Sequence, residues 1–132
     1  MKFELEGEKY TLWTTKQADE KYSKYLRGKY PKCTNCGRSI GLGVSHFWGR
    51  SHSATRYDDN NCDILCWLPC HSTWEHEKQG DYMNFMIRKL GQRGYTELER
   101  KHNKTVKREH AIMDIQIRIL TYESNIQRQN SL

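Results

Sequence analysis

Two short cysteine loops constrain this chain more than anything else in it. Cys33-Thr34-Asn35-Cys36 is answered some thirty residues on by Cys66-Trp67-Leu68-Pro69-Cys70. Tetrahedral thiolate zinc takes two sulfurs from each of two tight loops, because a short spacer lets both cysteines of a loop reach one ion. The spacing therefore predicts a structural zinc on Cys33, Cys36, Cys66 and Cys70. Gly37 supplies the permissive backbone that lets the first loop turn back toward the metal. Cys62 is a fifth thiol, and its even spacing with Cys66 and Cys70 leaves a Cys62–Cys66 pair open. Pro69 favours Cys70 over Cys62, because proline suits the first turn of a helix and would set Cys70 at a helix start. Cys62 then serves as a small apolar strand residue.

The staple has a physical reason to exist. The chain is 132 residues long, about one domain, and its aliphatic residues are sparse. A small core gains from a metal what apolar burial does not supply. The net charge of +6 suits a polyanionic partner such as nucleic acid. Five cysteines without a secretory leader point to a reducing, cytoplasmic compartment in which thiols bind metal and stay unpaired. No apolar run approaches the ~20 residues of a membrane span.

Residues 3 to 13 alternate around Glu6-Gly7 and predict a hairpin. Ala18, Tyr22, Tyr25 and Leu26 predict a helix from Thr15 to about Arg27, closed by Gly28 and Pro31. Residues 39 to 60 read as loop with short strands, Cys62 to Leu65 as a strand, and Pro69 to about Gln79 as a helix. A further helix carries Tyr82, Phe85, Met86 and Leu90 and ends at Gly91 and Gly94. From Thr96 to about Ile126 there is neither Pro nor Gly. That length favours one long helix, with a strand over residues 112 to 120 as the competing reading. Its apolar positions spread over several faces, which suits packing on the domain and on a second copy in a homodimer. The expected architecture is a small α+β domain: a hairpin and helix over 1–30, a zinc-stapled core over 31–95 and a C-terminal helix over 96–132.

Between and after the cysteines lie Ser45-His46, Asn61 and His71. The order of a cysteine pair, a His, an Asn, a second pair and an adjoining His resembles the HNH nucleases, whose active site is a ββα-metal finger. Tyr22-Ser23-Lys24-Tyr25-Leu26-Arg27, Ser45-His46-Phe47, Thr55-Arg56-Tyr57-Asp58, Asn61 through His71 and Tyr82 through Gly91 are most similar to phage recombination nucleases of the Rap/NinG type. The resemblance covers about residues 20 to 100. It implies a treble-clef zinc scaffold and metal-dependent cleavage of DNA, with branched Holliday-junction or fork intermediates as the substrate.

Mapped onto this chain, the resemblance makes His46 the general base and Asn61 the brace of the loop that carries it, with Asn60 leaving the register open by one. His71 becomes a ligand of a catalytic Mg²⁺ or Mn²⁺. Glu75, four residues on, lies nearly above His71 on a helix. The resemblance prefers His76 as the second ligand. Ser45 departs from the pattern, since many HNH enzymes carry a metal-binding Asp or His there and a neutral hydroxyl is a poor ligand for a hard cation. Asp58 or Asp59 would replace it only if the loop folds back. Arg50 and Arg56 are the expected phosphate contacts, with His52 and Lys32 nearby. Trp67 and Trp74 are expected to be packing residues. Two rival functions stay open on sequence: a zinc DNA-binding or assembly module without catalysis, and an HNH nuclease of restriction, defence or packaging.

Overall fold

The computed structural model describes residues 1–131 and is a small mixed α+β structure with two antiparallel two-stranded sheets and five helices. Leu132, the last residue of the expected C-terminal helix, lies outside the described residues. Strands β1 (Lys2–Leu5) and β2 (Glu8–Thr11) form the N-terminal hairpin, turning at Glu6 and Gly7, both at positive φ. Helix α1 (Thr15–Lys29) follows. Its start is fixed by a capping box in which the Thr14 side chain accepts from the Gln17 amide and the Gln17 side chain accepts from the Thr14 amide.

The first cysteine loop leads into β3 (Leu42–His46), which pairs with β4 (Cys62–Cys66) so that Ser45 opposes Asp63 and His46 opposes Cys62. The short helix α2 (Ser53–Arg56) lies between them. All five residues of β4 are buried because elements cover both faces of this ribbon. Ile64 joins Ala18, Tyr22 and Leu26 of α1 with three isoleucines from the last helix, while Leu65 joins Cys66, Trp74, Tyr82 and Met86 on the other side.

After β4 the chain makes a wide π turn (Trp67–His71) and then the short helix α3 (Ser72–His76). The helix expected from Pro69 to Gln79 is therefore interrupted at Glu77-Lys78, and α4 (Gln79–His102) begins after the break. Gly91, at φ 74° and ψ 162°, leaves the helical conformation, so α4 is two helical segments that meet in a sharp kink at the glycine where the sequence places the helix end, and Gly94 lies within the second segment.

The single helix expected over 96–126 is two. Residues 96 to 102 complete α4, and α5 spans Arg108–Asn130. The break needs no Gly or Pro: Lys104 closes a turn onto the Lys101 carbonyl, and β-branched Thr105-Val106 follow, poor helix formers both. Helix α5 buries Ile112, Ile115, Gln116 and Ile119, the i, i+3, i+4, i+7 stripe of a helix packed on its own domain. The strand alternative over 112–120 does not occur. No described helix is long and apolar enough to cross a membrane.

Candidate metal centre and adjoining cleft

The Sγ atoms of Cys33, Cys36, Cys66 and Cys70 lie within 4.8 Å of one another, and none is in a disulfide. The first loop is closed by the Gly37 amide on the Cys33 carbonyl and the Cys33 amide on the Arg38 carbonyl, with Gly37 at φ 80° as the turn requires. Cys36 and Cys66 sulfurs are 3.6 Å apart, close to the roughly 3.8 Å edge of a tetrahedron with zinc–sulfur bonds of about 2.3 Å. Burial pushes the Cys33 thiol up, but hydrogen bonds from the backbone around Cys36, Cys66 and Asn35 outweigh it and bring it to about 6. Burial raises Cys66 and Cys70. Thiolates packed this closely need a cation between them, so these four are positioned to hold one metal ion, and the donor set suits zinc. Cys62 stands outside the cluster, buried, with its thiol directed at the Arg56 carbonyl and its ionisation suppressed by burial. The Cys62–Cys66 alternative is thereby set aside.

Beside this centre two clefts, about 450 Å³ and 530 Å³, meet at His46, Gly49, His71 and Glu75. His46 closes β3, and its Nε2 is 2.9 Å from the Arg56 carbonyl oxygen. A carbonyl only accepts, so Nε2 carries the proton and Nδ1 keeps the lone pair. Burial, with Arg50 and Arg56 nearby, lowers its pKa to about 4 although the Arg56 carbonyl opposes the shift, so the ring is neutral at ordinary pH.

Asn61 is fully buried: its side-chain oxygen accepts from the Trp48 amide, and its amide donates to the Trp48 and Thr55 carbonyls. These bonds tie both ends of the loop after His46 to the start of β4. Asn60, exposed, carries none of this.

His71 ends the π turn, its ring tilted 40° against the Trp67 ring with centroids 4.7 Å apart. Its Nε2 is 3.5 Å from Glu75 Oε2, and its Nδ1 is buried with no hydrogen-bond partner. Burial lowers its pKa, and Glu75 opposes the shift. His76 Nε2 lies 3.8 Å from the same Glu75 Oε2, with its side chain 66% exposed and outside both clefts. Glu75 thus lies within reach of both histidines, and it is the one of the two candidate second ligands that lines the clefts with His71. Among the described residues the four cysteines form the one group of three or more His, Cys, Asp or Glu side chains with ligand atoms this close together.

The Ser45 departure has a local explanation. Alternation along β3 turns Ser45 to the face opposite His46, where its hydroxyl is buried 2.7 Å from the Tyr82 hydroxyl. An acidic residue there would sit across the strands from buried Asp63, which is paired to Lys89 at 3.1 Å. Asp58 and Asp59 do not fold back; they bind Lys101 and Arg118.

Arg56 is not a free phosphate contact. It is buried, its Nε and Nη2 grip both oxygens of Asp19 on α1, and its Nη1 donates to the Arg50 carbonyl. The pairing uses all three guanidinium nitrogens, so Arg56 braces the His46 loop. Arg50, 64% exposed and lining the cleft, reaches Asp19 only at 4.0 Å through Nη1, so it is the more open of the two arginines. Asp19, which also accepts from the Tyr57 hydroxyl, had no motif to announce it. Trp74 is buried as expected, whereas Trp67 is 59% exposed, which corrects its assignment to packing. Comparison with protein-family models, curated proteins and solved structures finds no match to this chain.

Proposed function

We propose that this chain is a metal-dependent DNA endonuclease of the HNH type that hydrolyses phosphodiester bonds in branched recombination intermediates. The observation that carries this reading is the convergence of His46, His71 and Glu75 on one cleft beside the four-cysteine centre, with the His46 tautomer fixed by the Arg56 carbonyl. A neutral imidazole with its lone pair on Nδ1 can take the proton from a water that attacks phosphorus. Its position is held by Arg56, itself locked by Asp19, and by the Asn61 bonds to the following loop. His71 through its Nε2 and Glu75 through its carboxylate would hold the divalent ion, since these atoms lie 3.5 Å apart where the two clefts meet. Bound there, Mg²⁺ or Mn²⁺ supplies charge neutralisation of the phosphoryl and departing 3′ oxygens. Two protein ligands suit Mg²⁺ in particular, which keeps several waters and shares substrate phosphates. Arg50 at the cleft edge offers the bidentate phosphate contact.

The choice of branched DNA rests on the sequence resemblance to the Rap/NinG-type nucleases. A non-catalytic zinc DNA-binding module is the second reading, favoured because no third His, Cys, Asp or Glu among the described residues has a ligand atom close to those of both His71 and Glu75. Zinc-loaded protein incubated with supercoiled plasmid decides between them. Nicking in Mg²⁺ or Mn²⁺, absent in divalent-free buffer and absent in His46→Gln, is expected. Intact plasmid with every divalent ion tried would favour the binding module.

A further inference from the structure

Three large apolar side chains stand in solvent on one rim of the cysteine centre. Ile40 is 83% exposed, Leu68 64% and Trp67 59%, in a chain with few apolar residues to spare. The Trp67 amide donates to the Gly41 carbonyl at 2.7 Å, joining the loop after the first cysteine pair to the π turn, and the three side chains line one shallow cavity with Arg38. Trp67 belongs to two surfaces at once: it lines this cavity and also the cleft of His46, His71 and Arg50.

We propose that Ile40, Trp67 and Leu68 form a stacking platform for unpaired bases, which places a distorted or branched DNA strand with its phosphate in the adjoining cleft. This rests on the DNA nuclease reading. Bases offer apolar faces to any exposed aromatic or aliphatic side chain once they leave the duplex stack, and such contacts tolerate any sequence. Arg38 on one side and Arg50 on the other supply cations where the strand's phosphates would run, an arrangement that suits a charged polymer with apolar bases. A second copy of the chain fits less well, because three side chains fall far short of the roughly 800 Å² per partner of a stable dimer.

The test is binding in divalent-free buffer, where no cleavage occurs. The probes are a linear duplex and the same duplex with a short central bubble holding 2-aminopurine. The protein is expected to bind the bubble more tightly and to quench the unpaired 2-aminopurine. Ile40→Ser with Leu68→Ser, neither residue lining the cleft, is expected to lose about tenfold of the bubble preference while binding linear duplex as before. Zinc content and circular dichroism check that the double variant is folded, and quenching by the parental protein stands as evidence independent of it. Equal binding of bubble and duplex, or no quenching, overturns the platform even if plasmid is still nicked. No binding to any DNA overturns the nuclease reading as well. A variant that turns a dimer into a monomer and leaves the bubble preference intact assigns the patch to self-association and overturns the proposal.

Discussion

His46 and Arg56 are joined backbone to ring: Nε2 of the imidazole lies 2.9 Å from the arginine carbonyl oxygen, while the Arg56 side chain is clamped by Asp19. One residue thus fixes the tautomer of the candidate base through its main chain and the position of the base's loop through its guanidinium. His46→Gln keeps a donor for that carbonyl and removes the basic nitrogen. Cleavage should fall by about a hundredfold or more with zinc content and the circular dichroism spectrum unchanged. A variant that cuts at the parental rate would remove His46 from the chemistry.

The pH dependence follows from the same ring. Its folded pKa, about 4, lies below the ordinary value of 6.5, so between these values the unfolded chain binds the extra proton. His46 therefore contributes stability that is fully present above about pH 6.5 and is lost as the pH falls through 4. The denaturation midpoint of the parental protein should drop more steeply than that of His46→Gln across this window. Ring resonances of His46 that titrate near 6.5 in the folded protein would contradict the burial argument.

Arg50 and Arg56 should separate cleanly. Arg56→Ala removes the two-pronged partner of Asp19, leaving it the Tyr57 hydroxyl and the more distant Arg50, and is expected to cost about 1–3 kcal/mol of stability, read from urea melts. Arg50→Ala should leave the melt unchanged, weaken DNA binding on all sequences and reduce the salt slope of log K by about one. A fully stable Arg56→Ala protein would return that residue to the list of phosphate contacts.

The metal centre was the most legible part of the sequence because its information is local: two sulfurs per tight loop at fixed spacing. His46, Asn61 and His71 were legible through their order around those loops. The side chains that hold them were not, since Asp19–Arg56 and Ser45–Tyr82 each join residues 37 apart and Lys89–Asp63 residues 26 apart. Buried Gln116, which accepts from the Trp13 amide and donates to the Thr11 carbonyl, reads in sequence as an ordinary polar helix position. The break at residues 103–107 carries neither Gly nor Pro, and the extended backbone at Leu68, just after exposed Trp67 and before buried Cys70, has no periodicity in the sequence to announce it.

Cys33→Ser and Cys70→Ser should lose the metal and the fold together, because binding energy at such a centre is largely folding energy in a domain with a small core. Cys62→Ser should keep both, since that thiol makes a long contact to the Arg56 carbonyl and neighbours the Tyr22 hydroxyl but lies outside the four-sulfur cluster. Metal analysis beside a thermal melt distinguishes them. A Cys70→Ser protein that is folded and metal-replete would contradict the ligand set.

Helix α5 is a structural member of the domain, which changes what truncation can test. Ile112, Ile115 and Ile119 are each at most 3% exposed and pack with Ala18, Tyr22 and Leu26 of α1. Losing one such isoleucine costs about 2–5 kcal/mol, so losing three with the Gln116 bonds exceeds the roughly 5–15 kcal/mol that holds a domain together. A chain ending at Val106 should therefore lack cooperative unfolding. One ending at Glu123 keeps the whole buried stripe and the Tyr25–Tyr122 edge contact, with ring centroids 5.1 Å apart, and should melt close to the parental temperature. If the Val106 truncation folds, α5 is an appendage free to pair two copies; if only the Glu123 truncation folds, any loss of cleavage in shorter chains is loss of the domain itself.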